Sequence, residues 1–168
     1  MAIQIRPYTA TDVPAILEII NFNILHSTSL YDYEPRTLDL QQKILAEKTA
    51  KNFPVVVAVV EDKVAGFGMY GEFRFREAYR FTVEHSVYIS NDFKGKGIGG
   101  KLLQHLIEDA KNKKLHTMIG VVDAENKESI LFHEKHGFKT VGIIKESGFK
   151  FNRWLDSVIM QLILEENV

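Results

Sequence analysis

No cysteine occurs among the 168 residues. That absence removes disulfides, thiolate metal sites and any thiol nucleophile, and it suits a reducing compartment. Proline is scarce, at four residues, and no proline- or glycine-rich tract, repeat or low-complexity segment marks a linker, so one domain over residues 1–168 is expected. Neither sign of charge dominates. Twenty-one Lys and Arg stand against 22 Asp and Glu, which leaves no electrostatic case for nucleic-acid binding. No stretch approaches the roughly 20 apolar residues of a membrane span. The opening residues MAIQIRPYTATDV carry no apolar run of the signal-peptide kind. A cytoplasmic location away from membranes is therefore expected. No His or acidic residues stand at convincing metal-ligand spacing, so no metal is expected.

What is present reads as a mixed α/β chain. Residues 2–6 alternate and suit a short strand. Thr11 or Asp12 can cap a helix with Pro14 in its first turn and Ile16, Leu17, Ile19 and Ile20 inward. Residues 26–35 read as a loop, and Thr37 begins a second helix reaching about Thr49. Residues 53–74 read as strand, turn at Glu61-Asp62-Lys63, and strand; residues 79–89 supply a third strand. Three strands so close together should run antiparallel. Ile98, Leu102, Leu103, Leu106, Ile107 and Ala110 then recur at helical spacing. Thr117 to Val122 suits a buried strand. A helix capped by Asn126 or Asp123 follows, with Ile130, Leu131 and Phe132 as apolar contacts and Gly137 at its C-terminal cap. Phe138 to Ile144 and Ser157 to Leu164 close the chain as strands, with KESGFKFNRWLD between them. The sum is one α/β domain, with a mixed, mostly antiparallel sheet flanked by helices in the order β-α-α-β-β-β-α-β-α-β-β.

The stretch DFKGKGIGGKLL, residues 92–103, concentrates four glycines and three lysines. Gly95, Gly97 and Gly100 spell G-x-G-x-x-G, with Asp123 further on, as in a dinucleotide fold. Such a fold begins with this unit and continues as parallel repeats, whereas here an antiparallel meander precedes it and too few strands follow. Gly95, Gly100 and Lys101 spell most of a Walker A loop, but Leu102 stands where a hydroxyl should hold magnesium. The third pattern is [Gln/Arg]-x-x-Gly-x-[Gly/Ala] between an antiparallel strand and a helix. The segment KGKGIG, residues 94–99, resembles it, with Lys94 at the first position. Successive backbone N–H groups at a helix N-terminus form an anion-binding concavity, and the helix dipole adds favourable charge. A Cβ there would hold a pyrophosphate away.

That third pattern is the pyrophosphate loop of the GNAT superfamily of N-acetyltransferases, and the element order resembles the GNAT fold from end to end. NKESILFHEKHGF (126–138) resembles the family's Asn-x-x-(Ala/Ser)-x-x-x-Tyr-Glu-x-x-Gly-Phe segment, with His133 in place of the tyrosine. The phosphinothricin and methionine sulfone/sulfoximine acetyltransferases carry His at this place. YRFTVEHSVYI (79–89), FRFREAYR (73–80), HSTSLYDYEPRT (26–37) and ESGFKFNRWLDSVIMQ (146–161) resemble segments of the same subfamily. The resemblance implies an enzyme that moves an acetyl group from acetyl-CoA to the α-amine of a small amino acid or analogue, by direct transfer. It also implies a homodimer. The rivals are a GNAT enzyme acting on a protein N-terminus or a polyamine, a non-catalytic acyl-CoA-binding regulatory module and, last, a Rossmann oxidoreductase.

The resemblance places the base on Glu84, acting through a water, and a second proton-handling group on His133, which either donates to the departing thiolate or takes part in proton removal. Partial burial should raise the Glu84 pKa to suit the task. The cofactor arm should pair with the backbone of Val87, Tyr88 and Ile89 as an added strand, where an N–H can polarise the carbonyl. The cradle is Lys94, Gly95, Lys96, Gly97, Ile98, Gly99 and Gly100, with Asn126 and Ser129 as further cofactor contacts. Arg74 and Arg76 alternate onto one strand face and Phe75 onto the other, where an arginine can clamp a substrate carboxylate. His85 should face away from Glu84 on a regular strand. It joins Tyr31 as a candidate for the acceptor pocket, with Tyr33 a further one. Trp154 suits core, interface or pocket equally.

Overall fold

The computed structural model describes residues 2–164. Strand β1 (Gln4–Pro7) leads into α1 (Val13–His26) and α2 (Leu38–Ala50). The hairpin β2 (Val55–Val60) and β3 (Lys63–Glu72) follows, then β4 (Thr82–Ile89). Next come α3 (Ile98–Asn112), β5 (Thr117–Asp123) and α4 (Lys127–Lys135), and the chain closes with β6 (Lys139–Lys150) and β7 (Arg153–Ile163). The predicted order of elements is the observed one.

Local chemistry sets most of the boundaries. Thr37 caps α2 by accepting the Leu40 N–H at 3.2 Å, and Asn126 caps α4 by accepting the Ser129 N–H at 3.0 Å; each satisfies a donor that the helix leaves free. The expected cap on α1 works differently. The Asp12 carboxylate turns back to the Thr9 N–H and the Arg6 guanidinium, each at 2.7 Å. The guanidinium, more than any other contact, holds that carboxyl down at about 2.

The seven strands form one sheet in the order β1-β2-β3-β4-β5-β7-β6. Every neighbouring pair is antiparallel except β4 and β5, whose parallel run α3 connects. Helices cover both faces. On one side α1 and α2 bury Ile16, Ile20, Ile24 and Leu45 against Val55, Val57, Phe67 and Tyr88. On the other, α3 buries Leu102, Leu103 and Leu106 against Ala58, Tyr70, Val83 and Met118. The continuous apolar run of β2 is what a strand covered on both faces requires.

Three expectations need correction. Residues 146–152 are part of a long hairpin rather than a connection: β6 runs to Lys150 and β7 starts at Arg153. Their turn residues Phe151 and Asn152 have φ of +50° and +59°, a two-residue turn made without the glycine that usually announces it. Residues 73–80 are not strand. β3 ends at Glu72, so Arg74, Phe75 and Arg76 do not alternate across a sheet. Leu131 is exposed, and only Ile130 and Phe132 of their trio pack inward.

Candidate active site

β4 and β5 part company. They pair at Thr82–Thr117, Val83–Met118 and Glu84–Ile119 and no further, while β4 runs on to Ile89 beside β3. Between the diverging strands lies a cleft of about 300 Å³, lined by Glu84 to Tyr88, Gly120 to Asp123, Thr28 to Tyr31, Asn126, Ser129, Phe132 and His133. The Ser90 N–H reaches Ala65 on the β3 side and Phe73 N–H reaches Thr82. Even-numbered residues of β4 therefore spend their main-chain groups on β3, and Val87 and Ile89 turn theirs to the open cleft. Of the three residues expected to pair with an extended cofactor arm, Tyr88 is thus excluded as a backbone partner; its ring is buried beside Phe67.

The cleft leads to the glycine segment. Gly95 and Gly97 have φ of +73° and +75°, and a Cβ on either would meet no protein atom within 4 Å. The left-handed backbone calls for glycine, and open space lies in front of both residues. The N–H groups of Ile98, Gly99 and Gly100 follow in the first turn of α3, where a helix leaves its donors unpaired. Here an anion gains both hydrogen bonds and dipole. The lysines stand around the cradle: Lys94 Nζ lies 5.8 Å from the Phe22 ring, and Lys96 donates to the Asp92 carbonyl at 2.9 Å. A Cβ on Gly100 would press on His136 at 3.1 Å, so that glycine also serves the packing of α4. These features fit a diphosphate at the cradle and an extended arm along β4, the shape of acetyl-CoA.

Glu84 and His85 diverge to opposite faces at the point where the strands part. Glu84 is half-buried on the α2 side. Burial pushes its carboxyl above the ordinary range, and Arg74, then Lys48, pull it partly back. His85 is 7% exposed on the α4 side, where its Nε2 lies 3.1 Å from His133 Nε2. The protons can be assigned from the partners. His133 Nδ1 lies 2.6 Å from the Ser129 carbonyl, which can only accept, so Nδ1 carries the hydrogen. Burial lowers the pKa of both rings, that of His85 to about 3, so both are neutral. His133 Nε2 is then a lone pair, and His85 Nε2–H donates to it. His85 Nδ1 is left as a buried acceptor with no partner.

The other predicted residues fall into place unevenly. Asn126 and Ser129 line the cleft, although Asn126 Oδ1 is spent on the α4 cap. Tyr31 lines it too, its hydroxyl 3.4 Å from Ser157 Oγ. Arg74 reaches the neighbourhood of Glu84. Phe75 is 82% exposed, and the Arg76 guanidinium stacks 4.8 Å above its ring; neither lines the cleft. The sequence reading passed over three features. Thr28 donates to Asp123 at 2.5 Å and Lys150 donates to the Ser27 and Leu30 carbonyls, tying the α1–α2 loop across the cleft. Gly120 faces the histidines: a Cβ there would meet His133 Nε2 at 2.9 Å and His85 Nε2 at 3.1 Å. A glycine inside an apolar strand was the available signal for that close approach.

Comparison with known proteins agrees with this geometry. Residues 5–159 match the acetyltransferase (GNAT) domain family. An L-methionine sulfoximine/L-methionine sulfone acetyltransferase of Pseudomonas aeruginosa is 38% identical over 98% of this chain and 96% of its own. A phosphinothricin N-acetyltransferase of Streptomyces viridochromogenes is 33% identical over 92% of this chain and 84% of its own. Among solved structures, an N-acetyltransferase from Staphylococcus aureus superimposes with a TM-score of 0.96 at 38% identity, covering 98% of this chain and all (100%) of the other. A phosphinothricin acetyltransferase from Sinorhizobium meliloti, in complex with acetyl-CoA, gives 0.94 at 35% identity over 97% of this chain and 89% of the other. With the glycine cradle, the parted strands and these likenesses together, the chain belongs to the GNAT family and is an N-acetyltransferase with acetyl-CoA as its co-substrate.

Proposed function

We propose that the enzyme acetylates the α-amine of a small amino acid or analogue of the methionine sulfone, methionine sulfoximine or phosphinothricin type. The observation that carries this is Glu84, a half-buried carboxylate set where β4 leaves β5 and opening onto the cleft, one of whose lining residues, Phe132, lies against Gly99 of the glycine segment. The relatives named above, aligned over almost the whole chain, act on acceptors of this kind.

Glu84 takes a proton from the substrate ammonium through a water, because an ammonium has no lone pair with which to attack. Its raised pKa suits that role better than an ordinary carboxylate does. The thioester supplies the acetyl group, which passes to nitrogen as the C–S bond breaks. Main-chain N–H groups of Val87 and Ile89 face the cleft, where one can polarise the thioester carbonyl. The nitrogen must shed a second proton, and the departing sulfur needs one. His133 Nε2, once freed from His85, has the lone pair to take that proton and pass it on. Arg74 beside Glu84 suits a substrate carboxylate. With no cysteine in the chain, the transfer is direct. The same reading includes a homodimer and a cytoplasmic setting.

The test is CoA thiol release measured across amino acids, their oxidised sulfur analogues, phosphinothricin, polyamines and peptides with free N-termini. Release fastest with the oxidised sulfur or phosphinic amino acids is expected. A polyamine or peptide at the head of the ranking overturns the acceptor, and no release with any amine points to the non-catalytic module. Glu84→Gln should lower kcat by about 100-fold or more with acetyl-CoA affinity unchanged. An unaltered rate removes Glu84 as base.

A further inference from the structure

Gly71 stands directly opposite Glu84 in the β3–β4 ladder. The two form a hydrogen-bonded antiparallel pair, since Phe73 and Thr82 two residues along share such a bond and every second pair repeats it. Their side-chain positions point to one face, the face that α2 covers. What fills the missing side chain at Gly71 is the end of Lys48, from α2. A Cβ on Gly71 would collide with Lys48 Nζ, and among the described residues, its own chain neighbours aside, only Lys48 lies within 4 Å of that position. The ammonium thus sits next to the cross-strand position of Glu84, and Lys48 is among the charges that act on that carboxyl. Lys48 therefore acts as the side chain that β3 does not supply.

The neighbouring charges leave Lys48 available for this. Glu72, the other acid on that side, is held by Lys51 at 3.3 Å. Among the described residues Lys48 has no ion-pair partner of its own within 4 Å; burial lowers its pKa, and the field of Glu84, ahead of that of Glu72, is what opposes the fall. A cavity of about 270 Å³ between α2 and the end of β3 is lined by Lys48 and Gly71 together. Lys48 does not line the cleft between β4 and β5; it approaches Glu84 from the β3 side.

We propose that Lys48 is a positioning residue for Glu84: seated over Gly71 on the sheet face that Glu84 shares, outside the cleft, it holds the carboxylate ionised and aligned while its surroundings bury it. The inference rests on Glu84 as the base. Glu84 meets Lys48 from α2, Arg74 from the β3–β4 loop, and Tyr88 along its own strand, with Asp32 and Arg36 beyond that ring. His85 and His133 lie on the opposite sheet face. Arg74 stands on an exposed loop, whereas Lys48 is anchored in a helix. A cation within about 4–6 Å lowers a carboxyl pKa by 1–3 units, and a half-solvated one belongs at the low end.

The experiment titrates the Glu84 side-chain carboxyl by carbon NMR in the full chain, the signal assigned by its loss in Glu84→Gln, alongside kcat/KM against pH. Lys48→Met should raise the Glu84 midpoint by about one pH unit and move the acid limb of kcat/KM with it. The high-pH plateau and acetyl-CoA affinity should stay within about twofold. Lys48→Arg should restore both curves. Gly71→Ala, which keeps the lysine but displaces its ammonium, should shift the midpoint in the same direction. An unmoved Glu84 midpoint in Lys48→Met overturns the inference whatever the base is, as does a Lys48→Arg curve that matches Lys48→Met. A midpoint that moves while the rate limb stays supports the Lys48–Glu84 coupling and overturns Glu84 as base, so the two failures are told apart.

Discussion

His85 shows how one buried side chain ties the site to the stability of the whole protein. It is neutral in the fold, its pKa pushed to about 3 chiefly by burial and next by His133, whereas an unfolded histidine titrates near 6.5. Between those values the unfolded chain binds a proton that the folded chain refuses. Stability is therefore full above about pH 6.5 and falls as pH drops toward 3, by up to roughly 1.4 kcal/mol per unit. His133 pulls the same way. Glu84, whose folded pKa is raised, acts in the opposite sense above the carboxylate range. Urea melts at pH 7 and pH 5 should show wild type losing on the order of 2 kcal/mol. In His85→Leu the loss should be clearly smaller, and an equal loss in the variant refutes the assignment. Glu84 and His133 were visible as candidates because their segments resemble a subfamily. Lys48 was not, because a lysine at mid-helix looks solvated until Gly71, far along the chain, is seen beneath it.

At the scale of elements, the turn into α3 is the most consequential. Its glycines were legible from spacing, but three phosphate-binding folds share that spacing. The structure separates their jobs: Gly95 and Gly97 take positive φ before open space, and Gly100 makes room for His136. Gly97→Val should abolish acetyl-CoA binding, because a β-branched residue strains the left-handed backbone and fills the cradle. Isothermal titration checks the affinity, and an unchanged circular dichroism spectrum checks that the fold survives. Retained binding would place the diphosphate elsewhere. The long β6–β7 hairpin escaped notice for a local reason: Phe151 and Asn152 make a turn that lacks glycine. Arg74 to Arg76 were misread as strand because alternation of charge and ring imitates a pleat. No sequence period says where hydrogen bonding to a neighbour stops.

At the scale of the whole molecule, β6 is an edge strand with Val141, Ile143 and Ile144 all more than half exposed, and nearer the hairpin turn Trp154, paired with Phe149, is 61% exposed. Long apolar edges are ordinarily covered, and the proposed homodimer gives this one a cover. Ile143→Glu should convert the particle to a monomer of about half the mass in sedimentation, with the monomer still folded. A wild type that already sediments as a monomer removes the dimer from the reading.

The sequence alone determined the order of elements, the inward faces of α1 and α3, the capping residues of α2 and α4, and the family. The first three follow from periodicity and short-range chemistry within a few residues, with the α4 cap narrowed only to Asn126 or Asp123; the family was legible only through the resemblance of its motifs. Only the tertiary structure decided that β4 and β5 separate after Glu84, that the main-chain groups of Val87 and Ile89 rather than those of Tyr88 turn away from β3, that His85 bonds to His133, and that Lys48 stands over Gly71 opposite Glu84. Each depends on register between distant segments. A shift of one residue sends a strand's side chains to the other face, and no local pattern encodes that choice.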